Sequence, residues 1–109
     1  MPSKASPAPE VQTLLTGLAF GESPRWHTDR LWFADWGKQQ IVAVDVDGHS
    51  EVMVQVKFHS FPMCFDWLHD SSLLVVSARD GLVLRREPNG TLVTHADLSG
   101  IAKRGESLE

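Results

Sequence analysis

The chain lacks a second cysteine, an excess of basic charge and any long apolar run, and each absence closes off a class of protein. With Cys64 as the single cysteine in 109 residues, no internal disulfide can form. Its place in Met63-Cys64-Phe65 reads as a small core residue, with a reactive thiol as the alternative. Ten Lys and Arg against fourteen Asp and Glu give a formal net charge of −4. A chain so balanced has no basic surface with which to hold a phosphate backbone, and nucleic acid is not an expected partner. No apolar stretch approaches the roughly 18–20 residues needed to cross a bilayer, and the N-terminus lacks the apolar centre of a secretory signal. The expectation is a soluble, cytoplasmic protein with no membrane partner. Sustained helical periodicity is also missing, and the five histidines, His27, His49, His59, His69 and His95, show no paired spacing of the helical i, i+4 zinc type. They read as turn and surface residues.

What the chain does have is an internal repeat. Leu31-Trp32-Phe33-Ala34-Asp35 returns as Leu73-Leu74-Val75-Val76-Ser77 at an offset of 42, and Asp47-Gly48 returns as Asn89-Gly90 at 42. Trp26 maps to Trp67 and Ile41 to Leu82, both at 41. A period of about 40–45 residues with four short strands per unit is the mark of a β-propeller blade, whose sheet buries its faces against its neighbours around a ring. The fold class expected is therefore all-β: two four-stranded antiparallel blades of a propeller, preceded by one N-terminal strand.

Residues 1–10, with three prolines among small and polar residues, are expected to form a disordered lead. Val11, Thr13 and Leu15 alternate with Gln12, Leu14 and Thr16, which predicts a short strand. In a closed propeller such a strand completes the last blade; with that blade absent, it would lack its partner. Blade one, about 22–56, is predicted as strands at Ser23–His27, Arg30–Asp35, Gln40–Asp45 and Glu51–Val56. Blade two, about 61–98, is predicted as Pro62–Leu68, Ser72–Ser77, Gly81–Arg86 and Thr91–Ala96. Asp47-Gly48 and Asn89-Gly90 suit tight hairpins because glycine and asparagine tolerate positive φ. Trp26, Trp32, Trp36 and Trp67 are expected in blade-to-blade packing, with ligand stacking as the alternative. Two blades cannot close a ring, and a chain of this length buries only roughly 60–70% of the surface its unfolded form exposes. Open blade faces would tip such a chain toward association or unfolding.

One segment is suited to chemistry. In Gly21-Glu22-Ser23-Pro24-Arg25-Trp26, at the start of the strand that would face the propeller axis, Gly21 allows close backbone approach and Pro24 stiffens the chain. Glu22 supplies a hard oxygen suited to calcium or magnesium and acceptable to zinc or manganese. A solvated Glu22 is the plain alternative. Arg25 and Asp66 are the further candidates, for substrate binding, against readings as a snorkelling arginine and a solvated or turn-bonding acid.

Phe20-Gly21-Glu22-Ser23-Pro24-Arg25-Trp26, with Leu31 to Asp35 and Ile41 to Asp45, resembles the senescence marker protein/gluconolactonase/luciferin-regenerating-enzyme-like family. Leu73 to Ser77, Leu84 to Leu92 and His95 to Gly100 resemble that family's second blade, so the likeness runs from about Val11 to Gly100. It implies a six-bladed propeller with one divalent metal near the axis, calcium first, with zinc, magnesium or manganese as alternatives. It also implies Glu22 as a metal ligand and a small-molecule lactone or sugar-acid derivative as substrate. The metal would polarise the lactone carbonyl and help position the attacking water. The general base and the other ligands fall on blades beyond this chain. Where the family places its next ligand, an Asn, the chain reads Ile101 to Glu109 without one, and residues 101–109 are expected to be an irregular, truncated tail. The function expected is that of an N-terminal fragment of a metal-dependent lactone hydrolase, inactive alone. The alternatives are a self-associating protein, in which three copies supply six blades through their open faces, and a non-catalytic propeller segment.

Overall fold

A computed structural model describes residues 10–56 and 62–101. The chain is all-β, with no helix among the described residues and hence none long and apolar enough to cross a membrane. One antiparallel sheet runs in the order β1 (Gly21–His27), β2 (Arg30–Asp35), β3 (Gln40–Val44), β4 (Ser50–Gln55). The other runs β5 (Met63–Trp67), β6 (Leu73–Ser77), β7 (Leu82–Arg86), β8 (Leu92–Asp97). All eight strands fall within two residues of their predicted ends. The lead up to Pro9, the tail from Ala102, and His59 lie outside the described residues.

The two sheets repeat down to their irregularities. Asp35 pairs with Gln40 and Ser77 with Leu82, so Gln40, not Ile41, is the equivalent of Leu82, and the offset there is 42. Each β3-type strand meets its partner through a bulge, which leaves Met53 unpaired in one sheet and His95 in the other, again 42 apart. Gln39 and Gly81 both adopt left-handed backbone, and each carbonyl accepts a bond from the residue after the last strand, Val56 N at 2.9 Å and Leu98 N at 2.7 Å. The expected glycine turns form as three-residue hairpin loops: Gly48 (φ 88°) and Gly90 (φ 89°) donate to Asp45 O and Glu87 O.

The offset of 41 at Trp26 has two causes that cancel. Glu22 pairs with Ala34 but Arg25 with Trp32, so β1 carries one extra residue as a bulge, with Ser23 at φ 56°. The following hairpin then turns on two left-handed residues, Thr28 and Asp29, where the second sheet needs His69, Asp70 and Ser71. One residue gained and one lost restore the offset to 42 at Leu31.

Alternate residues of the central strands divide between the two faces of each sheet. Trp32, Ala34, Ile41, Ala43 and Val54 of the first sheet join Met63, Phe65, Leu73, Val75 and Leu84 of the second in one buried cluster. Trp67 sets its ring edge-on to Trp32, centroids 5.2 Å apart, and stacks on His27 at 3.9 Å. Trp36 donates its indole N–H to Met63 O at 2.8 Å, and Arg86 donates Nε to Met53 O at 3.0 Å, so hydrogen bonds also join the sheets. Trp26 departs from expectation: it is 59% exposed, because its partner Leu31 faces away from the second sheet. Cys64 is half-buried on β5 and not fully in the core, since it lies opposite Val76, on the face that the first sheet does not cover.

The predicted N-terminal strand does not form. Residues 10–18 pair with no strand, and instead Leu14 and Leu15 lie on Phe33, Val42 and Val44, the outer face of the first sheet. The segment lies across the face and bonds to no sheet edge; its two leucines are buried on apolar surface in place of a ladder. Asp35 holds its far end. This side chain is fully buried, and its carboxylate accepts N–H bonds from Ala19 (3.0 Å), Phe20 (2.9 Å), Gly37 (3.1 Å) and Lys38 (3.2 Å). Trp36 N donates to Phe20 O at 2.8 Å, and Lys38 Nζ to Gly17 O at 2.6 Å.

Burial by itself would raise the Asp35 pKa, but the four N–H groups outweigh it and hold the group below its ordinary value of 3.8. A depressed carboxylate stabilises the fold above its unfolded pKa and loses that contribution as pH falls through the folded one. Asp35→Asn keeps the shape but removes the charge, and should cost about 1–3 kcal/mol at pH 7 in denaturant unfolding. The variant should also lose part of the wild type's destabilisation on going from pH 5 to below pH 3; an unchanged acid limb would contradict this role. A Cβ at Gly37 would meet Ala19 Cβ at 2.4 Å, so Gly37→Ala should cost about 1–3 kcal/mol by forcing the segment off the sheet.

Candidate functional site

Glu22, Arg25 and Asp66 are all exposed. Glu22 stands on the edge strand β1 opposite Ala34, and Arg25 opposite Trp32. In a regular strand, residues three apart face opposite ways; the bulge between them returns both to the face shared with Ala34 and Trp32. Among the described residues neither side chain makes a hydrogen bond or ion pair. Asp66 is the repeat equivalent of Arg25, stands opposite Leu74 on the other sheet, and turns its Oδ1 to Trp67 N at 2.8 Å. Glu22 and Arg25 thus share one strand end, while Asp66 belongs to the second sheet and bonds locally.

The repeat equivalent of Glu22 is the half-buried Cys64, and β5 pairs with β6 without a bulge. The carboxylate, the left-handed Ser23 and Pro24 have no counterpart in the second sheet. Beside them lies a cavity of about 390 Å³ between the N-terminal segment and the first sheet, touched by Glu22 and Pro24 and walled by Leu14, Leu15, Leu31 and Phe33.

A second constellation went unforeseen. Asp45, Asp47 and His49 bring ligand-type atoms within 4.8 Å of one another, the one such group of three among the described residues. It lies at the far end of the first sheet, four residues along β3 from the level of Glu22, or about 13 Å at ~3.3 Å per residue. The two places therefore form no joint centre. Asp45 already has local work: its Oδ1 accepts from Asp47 N (2.9 Å) and His49 N (3.0 Å), and its Oδ2 faces His49 Nδ1 at 3.2 Å. The backbone N–H of His49 is the main cause that lowers the Asp45 pKa, followed by that of Asp47 and then by the His49 ring. The spacing Asp-x-Asp-x-His was legible, but these side chains converge because a hairpin loop curls them together.

His69 and Asp70 occupy the β5–β6 turn, where Asp70 Oδ1 caps Ser72 N at 2.9 Å, and the His95 ring meets Arg85 Nη1 at 3.1 Å. The described histidines are thus turn and surface residues, except that His27 is stacked on Trp67 between the sheets.

His49→Ala should move the Asp45 titration midpoint upward in carboxyl-detected NMR, because the ring's hydrogen bond and charge both favour the ionised acid. A midpoint that stays in place would remove the ring from this account. No family model, curated protein or solved structure matches the chain.

Proposed function

We propose that the two sheets are blades of a β-propeller and that the chain is the N-terminal part of a divalent-metal-dependent lactone hydrolase, with Glu22 as one ligand of its metal. The observation that carries the reading is the departure at β1. In a repeat that keeps the β3–β4 bulge, the glycine hairpin loop and the left-handed position before β3 at one offset, the Glu22-to-Arg25 stretch inserts a residue, a left-handed Ser23 and an exposed carboxylate with no side-chain partner among the described residues. Bulges of this kind re-aim side chains at functional sites. The way the sheets stack supports the blade reading. The face of the first sheet that receives the second, with Ala34, Ile41 and Val54, is equivalent at an offset of 42 to Val76, Val83 and Ala96, which point away from the first. A two-fold sandwich would join like faces; blades in series join unlike ones.

The donor set at Glu22 does not amount to a metal centre. Calcium takes six to eight oxygens, and among the described residues Glu22 belongs to no group of three acids, histidines or cysteines. No step of hydrolysis is therefore assigned to this chain; its part is to present one carboxylate and, through Arg25, a cation on the same face.

Calorimetric titration with calcium should show no binding that Glu22→Gln alters in this chain. In a longer chain that supplies further blades, the same substitution should abolish metal-dependent lactone hydrolysis. Hydrolysis and affinity left intact in that longer variant would refute the assignment.

A further inference from the structure

The outer face of the second sheet carries an apolar row that no described residue of the first sheet covers, beside a second row in which Asp66 and Arg85 alternate with Leu74 and Val93. One row across it reads Cys64, Val76, Val83 and Ala96, directly opposite one another through β5, β6, β7 and β8, and Leu74 and Val93 extend it. All six are half-buried; of these, Val76, Val83 and Ala96 have equivalents in the first sheet, Ala34, Ile41 and Val54, that are covered, whereas the equivalents of Cys64 and Val93 are the exposed Glu22 and Glu51. The second sheet covers them with Met63, Phe65, Leu73, Val75 and Leu84; Met63 and Phe65 have Gly21 and the Ser23-Pro24 bulge at their places in the first sheet. The counterparts of Leu73, Val75 and Leu84, 42 residues earlier, are Leu31, Phe33 and Val42, and they form the outer face of the first sheet. The chain therefore carries outward, at opposite ends, the aliphatic part of both halves of one interface, with Arg85 at the place of Ala43 left at the rim of the contact.

We infer that the outer face of the second sheet docks the outer face of the first sheet of a second copy, repeating head to tail the packing that joins the two sheets within one chain. The inference concerns the faces of this 109-residue chain and needs no metal at Glu22; in a longer chain, further blades would take the same two faces in place of a second copy. The face on the first sheet is overlaid by Leu14 and Leu15, but residues 11–16 make no hydrogen bond among the described residues, so clearing it costs two leucine contacts and no ladder. The segment would swing about Gly17, which already holds φ 84° and would meet nothing within 4 Å if it carried a Cβ. Such a contact is heterologous: each copy leaves one face of each kind open, and growth stops only where a ring closes.

The test uses the full chain, of mass 12.1 kDa, in light scattering coupled to size exclusion. The wild type should rise above the monomer mass with concentration. Val83→Lys, which blocks only the second-sheet face, and Leu31→Lys, which blocks only the first-sheet face, should each be monomeric with an unchanged far-ultraviolet strand signal. Mixed, they should form a dimer and nothing larger, because one open face of each kind remains; indiscriminate aggregation would not stop at two. A second measurement needs no variant. Cys64, the single cysteine, lies in the docked face, so its alkylation by a maleimide should slow at least several-fold between dilute and concentrated protein. A wild type that stays monomeric and alkylates at one rate at every concentration, or folded variants that fail to pair, would overturn the inference and leave the face to a different partner.

Discussion

The Asp35 carboxylate is the constraint on which the first sheet and the segment before it depend. It ends β2, lies wholly out of water, and makes no ion pair among the described residues; its charge is met by four backbone N–H groups from two stretches of chain. Two of these donors, Gly37 and Lys38, shape the turn into β3, and the other two, Ala19 and Phe20, fix where the N-terminal segment enters β1. Lost N–H partners inside a protein are costly in proportion to their burial. One side chain therefore sets the start of the edge strand that carries Glu22. The second sheet solves the same turn differently: Ser77 takes the position of Asp35 and donates its hydroxyl to Asp80 at 2.8 Å, so the acid has moved into the loop.

Strand content and order were legible because every strand is bounded by turn residues and because the two repeats corroborate each other. The register at Ile41 was not, since apolar residues fill Ile41 to Val44 without a gap and a shift of one leaves the pattern looking as good. Only the pairing of Asp35 with Gln40 decides it. The alternation of Val11 to Thr16 satisfied a strand pattern, but periodicity records which residues can be buried and says nothing of a free edge to bond with. Trp26 illustrates the same limit: the repeat with Trp67 was real, yet the faces that the two equivalents meet are different, one open and one closed by a neighbouring sheet.

Of the candidate site, the chemical identity of Glu22 was legible and its setting was not. Ser23 at positive φ is a conformation that no local preference of serine announces. The bulge it creates brings Glu22 and Arg25 to one face, while Asp66 stands on the other sheet. The cluster at Asp45, Asp47 and His49 stands at the opposite end, where the equivalent loop of the second sheet, Glu87 to Thr91, keeps the same two backbone bonds with Asn89 capping Thr91 N. The hairpin needs an acceptor at this loop, and its acids serve that need first.

The compensation within the first hairpin has a further consequence. Because β1 is an edge strand, an added residue there disturbs one ladder only, and a shorter turn absorbs it before the chain reaches β2. The hairpin acts as a length buffer, in which insertions and deletions stay out of phase for a few residues and then vanish. The β2–β3 turn has no such slack. One residue more between Asp35 and Gln40 would exchange the two faces of β3, sending Ile41 and Ala43 outward and drawing Val42 and Val44 in. Variation in sequence length, and with it new chemistry, is thus channelled to an edge strand, where the chain can change without losing its core.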